Sequence, residues 1–255
     1  MRRILLSLAL IASLAVLSVP AVAAADPSNG TSRVIPLGTV LHKGRLVEGF
    51  AFIHGRDNSA KQPRPGKTES LYTFLARGAK WRTVEDYVVN AANGDGASSQ
   101  LVSNAVAAAA TTWEAQVPSI FGAGSMTTGQ LEADWNAPDD HNEVYFSQSE
   151  LDQGTVAVTV VWGVFSGPVN TREITEWDLV INDALPGSWG DASGHPDLWD
   201  VQNIATHELG HSAGLGDLYT TAAREQTMYG YASVGETKKR TLDSGDIAGI
   251  KALYR

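Results

Sequence analysis

The hydrophobic positions of this chain fall into blocks separated by glycine, proline and asparagine, and each block predicts an element. Residues 46–54 read as an extended, strand-like piece, and 85–90 as a second strand. The turn Asn93-Gly94-Asp95-Gly96 then leads into an alanine-rich helix over 98–116 that ends before Pro118. Three further strands, 142–146, 155–165 and 173–182, are rich in Val, Ile, Trp and Thr. A helix capped by Asp197 or Asp200 runs to about Ala213, and a last helix begins near Ser244 with Asp243 or Ser244 as its cap. The order predicts an α+β domain over 79–255, a mixed twisted sheet with helices, long enough for one real core.

The N-terminal pattern is different. Met1-Arg2-Arg3, an apolar run over 4–19 and the small residues Ala21-Val22-Ala23 make residues 1–25 a secretory signal peptide, with cleavage after Ala23 or Ala25 equally readable. The run is short for a spanning helix and no second membrane segment follows, so the protein is expected to be secreted, without stable membrane insertion. Residues 26–78 hold the strand-like piece and then a loop or linker containing Pro63, Pro65 and Gly66. They read as a propeptide or small N-terminal appendage, with Lys61, Arg64 and Lys67 suited to proteolytic nicking.

Charge narrows the partners. Losing residues 1–25 removes Arg2 and Arg3 and no acid, which takes the formal charge from -9 to -11. Nucleic acid is therefore not an expected partner, and a soluble monomer acting on a protein or peptide substrate is. Clustered Asp134, Asp139 and Asp140 are compatible with Ca2+ sites, although such runs more often form solvated loop surface. There is no cysteine, which excludes disulfides.

The candidate chemistry lies in His207-Glu208-Leu209-Gly210-His211-Ser212-Ala213-Gly214-Leu215-Gly216-Asp217. On a helix, positions i and i+4 share a face, so His207 and His211 can point at one Zn2+ ion. Glu208 beside them can act as general base towards a water whose pKa the ion lowers. Gly214 can end the helix in a left-handed conformation and bring Asp217 back to the metal from a new direction. Asp217 is also an ordinary turn residue, and Glu225 or a water could supply the third ligand instead. His42, His54, His141 and His195 have no partner at ligand spacing and read as surface or hydrogen-bonded histidines, with His195 near enough the helix to reach a cleft rim.

These residues resemble the metzincin metallopeptidases, whose motif HExxHxxGxx is followed by a third His or, in the snapalysin branch, by Asp. Thr227-Met228-Tyr229-Gly230 is similar to the metzincin Met-turn, with Met228 structural and Tyr229 packing or lining a pocket wall. The tail over 242–254 looks like the last helix of matrixin-type catalytic domains, and Trp81 with the strand and helix ending near Trp113-Glu114 looks like their beginning. The resemblance implies a metzincin-like fold with a long helix, an active-site helix, a Met-turn and a C-terminal helix. It implies a zinc endopeptidase with His207, His211 and Asp217 as ligands and Glu208 as base. It also implies a peptide-binding edge strand over 156–162, with Val156, Ala157, Val158, Trp162 and Tyr229 at the substrate cleft, although 156–162 also reads as simply a buried strand. Without cysteine, the thiol latch of matrixin propeptides is excluded, so any latency must work in another way. Two alternatives stay open: a non-catalytic secreted peptide-binding module of the same fold, and an aminopeptidase whose third ligand is a glutamate on a later helix.

Overall fold

The computed structural model describes residues 33–56, 70–117 and 120–255. The signal peptide reading and the linker with Lys61, Arg64 and Lys67 lie outside these residues. The strands are β1 (Arg33–His42), β2 (Arg45–Arg56), β3 (Glu85–Asn90), β4 (Phe121–Met126), β5 (Asn142–Ser147), β6 (Thr155–Val164), β7 (Glu173–Asn182), β8 (Ser188–Gly190), β9 (Leu198–Asp200) and β10 (Tyr231–Ala232). The helices are α1 (Ser99–Glu114), α2 (Val201–Ser212) and α3 (Ser244–Tyr254). Among the described residues no helix is long and apolar enough to cross a membrane.

Eight strands form one mixed sheet in the order β1-β2-β6-β7-β5-β3-β4, with β10 joined to β2. The β7-β5-β3-β4 side is parallel, whereas β6 runs antiparallel to both β7 and β2. β8 and β9 make a separate two-stranded ladder just before α2. This is the expected α+β architecture. Strands β1, β4, β8, β9 and β10 were not legible as blocks, since they are short, Gly-bearing or broken by Pro36.

Burial explains why the central strands look as they do. β6 is TVAVTVVWGV and every residue up to Gly163 is buried, because both sheet faces are covered and both edges are paired. One face carries Phe52, Val144, Val156, Ala157, Val161, Leu179 and Ile181 against α1 and α2. The other carries Val47, Ala51, Tyr145, Val158, Val160, Trp162 and Val180 under Leu131, Ala133 and Trp135. An open substrate edge over 156–162, as expected from the sequence, is thus not what the fold displays, because β2 occupies that edge from Glu48 to Gly55.

The helices follow their local signals. Ser98 caps α1 by accepting from the Leu101 N–H at 3.2 Å, and the buried positions Val102, Ala105, Val106, Ala109, Ala110 and Trp113 make one stripe. Its alanines let α1 lie close on α2, where the Trp113 Nε1 donates to the Thr206 carbonyl at 2.8 Å. Asp200, not Asp197, caps α2 through the Asn203 N–H at 2.7 Å. Asp243, not Ser244, caps α3, in a capping box with Asp246.

Asp200 does more than cap. Its two oxygens also accept from the Ala192 N–H at 2.8 Å and from the Arg240 guanidinium, which tie the loop before α2 and the segment before α3 to the start of the helix. Asp200→Ala should lose the cap and leave the Arg240 guanidinium with only Asp191 and Ser193 as partners, at a cost of about 2 kcal/mol. Asp200→Asn, which keeps an acceptor at the cap, should fall between the two. Urea unfolding of the three proteins checks this order, and equal midpoints for wild type and Ala would refute it.

Candidate metal centre

α2 presents the motif from a buried position, since every residue except Gln202 is buried. The His207 Nδ1 lies 2.7 Å from the Thr227 carbonyl and the His211 Nδ1 lies 3.0 Å from the Leu215 carbonyl. A carbonyl can only accept, so each Nδ1 carries the proton and each Nε2 keeps its lone pair. Both lone pairs face Asp217, whose Oδ1 is 3.2 Å from the His207 Nε2 and 3.5 Å from the His211 Nε2.

Asp217 arrives there because the chain reverses at Gly214. That residue has φ +100, and a Cβ on it would lie 2.8 Å from the Ala79 carbonyl oxygen, so glycine is required twice over. The return is fixed by the Gly214 N–H to the His211 carbonyl and the Leu215 N–H to the Gly210 carbonyl, 2.8 and 2.9 Å. Leu218 then exchanges main-chain hydrogen bonds with Met228 and Gly230. The other Asp217 oxygen accepts from the Tyr219 hydroxyl at 2.8 Å. Glu225, the rival third ligand, is 69% exposed and pairs with Lys238 instead.

The donor set fits a metal ion. His207, His211 and Asp217 offer two imidazole nitrogens and one carboxylate oxygen, all within 4.8 Å of one another. The His207 Nε2 and the Asp217 Oδ1 are buried and carry no hydrogen bond, a state that is costly unless a cation satisfies both. Electrostatics agree. Burial pushes the His207 pKa down to about 4, with the Lys239 charge adding to it, which keeps its imidazole neutral. Burial opposes charge on the Asp217 carboxyl, but His211 and His207 outweigh it and hold the group well below the carboxylate range.

Glu208 sits on the same helix turn, fully buried. Its Oε2 accepts from the Thr159 hydroxyl of β6 at 2.5 Å and its Oε1 from the His54 Nδ1 of β2 at 2.9 Å. Burial raises its pKa to about 7, against the lowering pull of His211 and the Thr159 hydroxyl. The His54 Nε2 faces the Lys239 ammonium at 3.3 Å, and Lys239 also donates to the carbonyls of Tyr229 and Tyr231 at 2.6 and 2.8 Å. Sequence reasoning names neither Lys239 nor Thr159, and it reads His54 only as a surface or hydrogen-bonded histidine; the structure makes it buried and hydrogen-bonded. His54 has no histidine at ligand spacing, and only the pairing of β2 with β6 brings it in.

The remaining candidates separate. Met228 packs beneath α2, with its Sδ 2.2 Å from where a Cβ on Gly210 would stand. Tyr229 is buried beside it. Val156 and Ala157 pack into the helix-side core, whereas Val158 and Trp162 point to the opposite face of the sheet, away from the metal centre. His195 is exposed, and His42 and His141 bond to Asp140 and Asp139. Of the three aspartates considered for calcium, only Asp134 joins a buried carboxylate cluster, with Glu176 and Asp178.

A family model described as Matrixin matches residues 80–255. No curated protein matches the chain.

The Met-turn is held from behind. Asp246, buried on α3, accepts from the Thr227 N–H at 2.7 Å and the Met228 N–H at 3.1 Å, while the Thr227 carbonyl holds His207. Asp246→Ala strands two buried N–H groups and frees the carbonyl that orients His207. It should cost about 3 kcal/mol of stability and weaken zinc retention about 10–100-fold. Competition with a chromophoric chelator reads the second effect, and unchanged zinc affinity would show that Asp246 supports only the fold.

Proposed function

The chain belongs to the matrixin family of zinc-dependent endopeptidases, and from that premise we propose that it is a secreted zinc endopeptidase with His207, His211 and Asp217 holding the ion and Glu208 as general base. The observation that carries the reading is the pair of buried, unbonded ligand atoms, the His207 Nε2 and the Asp217 Oδ1, facing each other beside a carboxylate of raised pKa. Secretion is supported by the pattern of residues 1–25. A zinc ion bound there would polarise the scissile carbonyl and lower the pKa of the attacking water.

The chain's own groups supply the rest. Glu208, deprotonated, takes the proton of the attacking water and then hands it to the leaving amine, while the Thr159 hydroxyl fixes the rotation of its carboxylate. The Nδ1 bonds to the Thr227 and Leu215 carbonyls keep both imidazoles in the ligating tautomer. Asp217 adds a negative charge where a third imidazole would be neutral, which should make the ion a weaker Lewis acid and favours an optimum at or above neutral pH.

The expectation of calcium becomes a proposal at Asp134, Glu176 and Asp178. Burial, and then the Asp134 carboxyl beside it, push Glu176 up to about 10, so the three carboxyls crowd into a dry pocket where a cation would replace a shared proton. Calcium added to the zinc-loaded protein should raise its Tm, and the rise should vanish in Asp178→Asn.

Glu208→Gln should retain one zinc per chain and lose about 10²–10⁴ of kcat/KM on a terminally blocked peptide. Full activity in that variant would sink the mechanism. The base must be deprotonated to act, so kcat/KM should rise with pH through a limb at or below pH 7, because a nearby cation can only lower the Glu208 pKa from about 7. A rate that falls across that window would contradict the assignment.

A further inference from the structure

The family match begins at residue 80, yet the sheet does not. Strands β1 and β2, joined by the two-residue turn Lys43-Gly44 with φ 47 and 79, form a hairpin from outside the matched region. Take that hairpin away, and β6 becomes an open edge whose main-chain groups have no partner on that side. The hairpin occupies it. β2 pairs antiparallel with β6 and, at Gly55 and Arg56, parallel with β10, so one extended segment is bonded on both sides across the metal centre.

Its side chains close the site. The Phe52 ring stacks on His211 with centroids 4.1 Å apart and the His54 ring lies on His207 at 3.9 Å. His54 also bonds to Glu208, the proposed base. His207, Glu208 and His211 are each 1% exposed or less, which leaves no path for a substrate peptide to reach them. The hairpin rim is clamped by ion pairs of Arg45 with Glu173 and of Lys43 with Asp140, and by a hydrogen bond between His42 and Asp140.

We propose that residues 45–56 are an intramolecular occupant of the peptide-binding groove and hold the enzyme latent, with His54 on Glu208 and Phe52 on His211 in place of any thiol latch. The proposal rests on the peptidase reading for its activity readout. A tethered strand acts at an effective concentration of about millimolar, so free peptides at micromolar levels do not displace it. Relief requires the hairpin to leave, and the groove it vacates takes an extended peptide antiparallel to β6.

The test uses the full chain with a recognition site for a sequence-specific protease placed between residues 57 and 69. Hydrolysis of a quenched blocked peptide and anisotropy of a labelled synthetic peptide of residues 45–56 are read before cutting, and after cutting and washing away the hairpin. Turnover should rise at least about 100-fold on release, and the labelled peptide should bind the released form only, competitively with substrate. The same peptide with Ala51→Pro should not bind. Uncut Gly49→Val, whose side chain collides with Trp162 under β2, should show raised turnover without cutting. Equal, measurable turnover before and after release, or equal binding of the labelled peptide by both forms, would overturn the proposal, as would loss of amide protection across β5 and β7 on release, which would make the hairpin an integral part of the sheet. If neither form hydrolyses peptide but only the released form binds the labelled strand, occlusion stands and the peptidase reading falls.

Discussion

The site depends on two hydrogen bonds that no side chain of the motif predicts: the Nδ1 of His207 to the Thr227 carbonyl and the Nδ1 of His211 to the Leu215 carbonyl. They select the tautomer, fix both ring planes and leave two lone pairs converging on Asp217. Each carbonyl belongs to chain that follows α2, so the ligands are oriented only if that chain returns correctly. Gly214 makes the reversal, Leu218 and Met228 hold the returning strands together, and Asp246 on α3 pins the Met-turn from the far side. The C-terminal helix in this sense supports the proposed metal centre, through Asp246 and the Met-turn.

Burial gives this arrangement its chemistry. A carboxylate and two imidazoles at 0–3% side-chain exposure are expensive to keep apart from water unless a cation joins them. The same desolvation that keeps His207 neutral raises Glu208 into the range where it can exchange a proton near neutrality. Lys239 lies in the same dry volume. Burial lowers its pKa to about 8, and it anchors on the Tyr229 and Tyr231 carbonyls, which places a donor against His54 and completes the chain from Lys239 through His54 to Glu208.

Much of this was written in the sequence, for physical reasons. The i, i+4 histidines, the Gly214 reversal and the three long strands are set by local spacing and by composition, which is why they were legible. The role of β2 was not. Strand alternation already puts Phe50, Phe52 and His54 on one face, but nothing in 46–54 says which edge the strand will join. One signal bears on β6: it lacks the alternation of a half-exposed strand, and a run from Val156 to Trp162 that is apolar but for Thr159 belongs to a strand covered on both faces. Lys239 stands in the basic run Lys238-Lys239-Arg240, which reads as solvated surface until the turn before α3 folds its middle member inward.

X-ray absorption at the zinc edge of the purified, zinc-loaded protein counts the ligands without relying on turnover. One zinc per chain is expected, with two imidazole nitrogens at about 2.0–2.1 Å and oxygen donors at about 2.0–2.2 Å, and Asp217→Ala should lose the carboxylate oxygen. A spectrum that requires three imidazoles would bring His54 into the coordination sphere and remove Asp217 from its assigned place, and it would contradict the ligand set on which the rest is built.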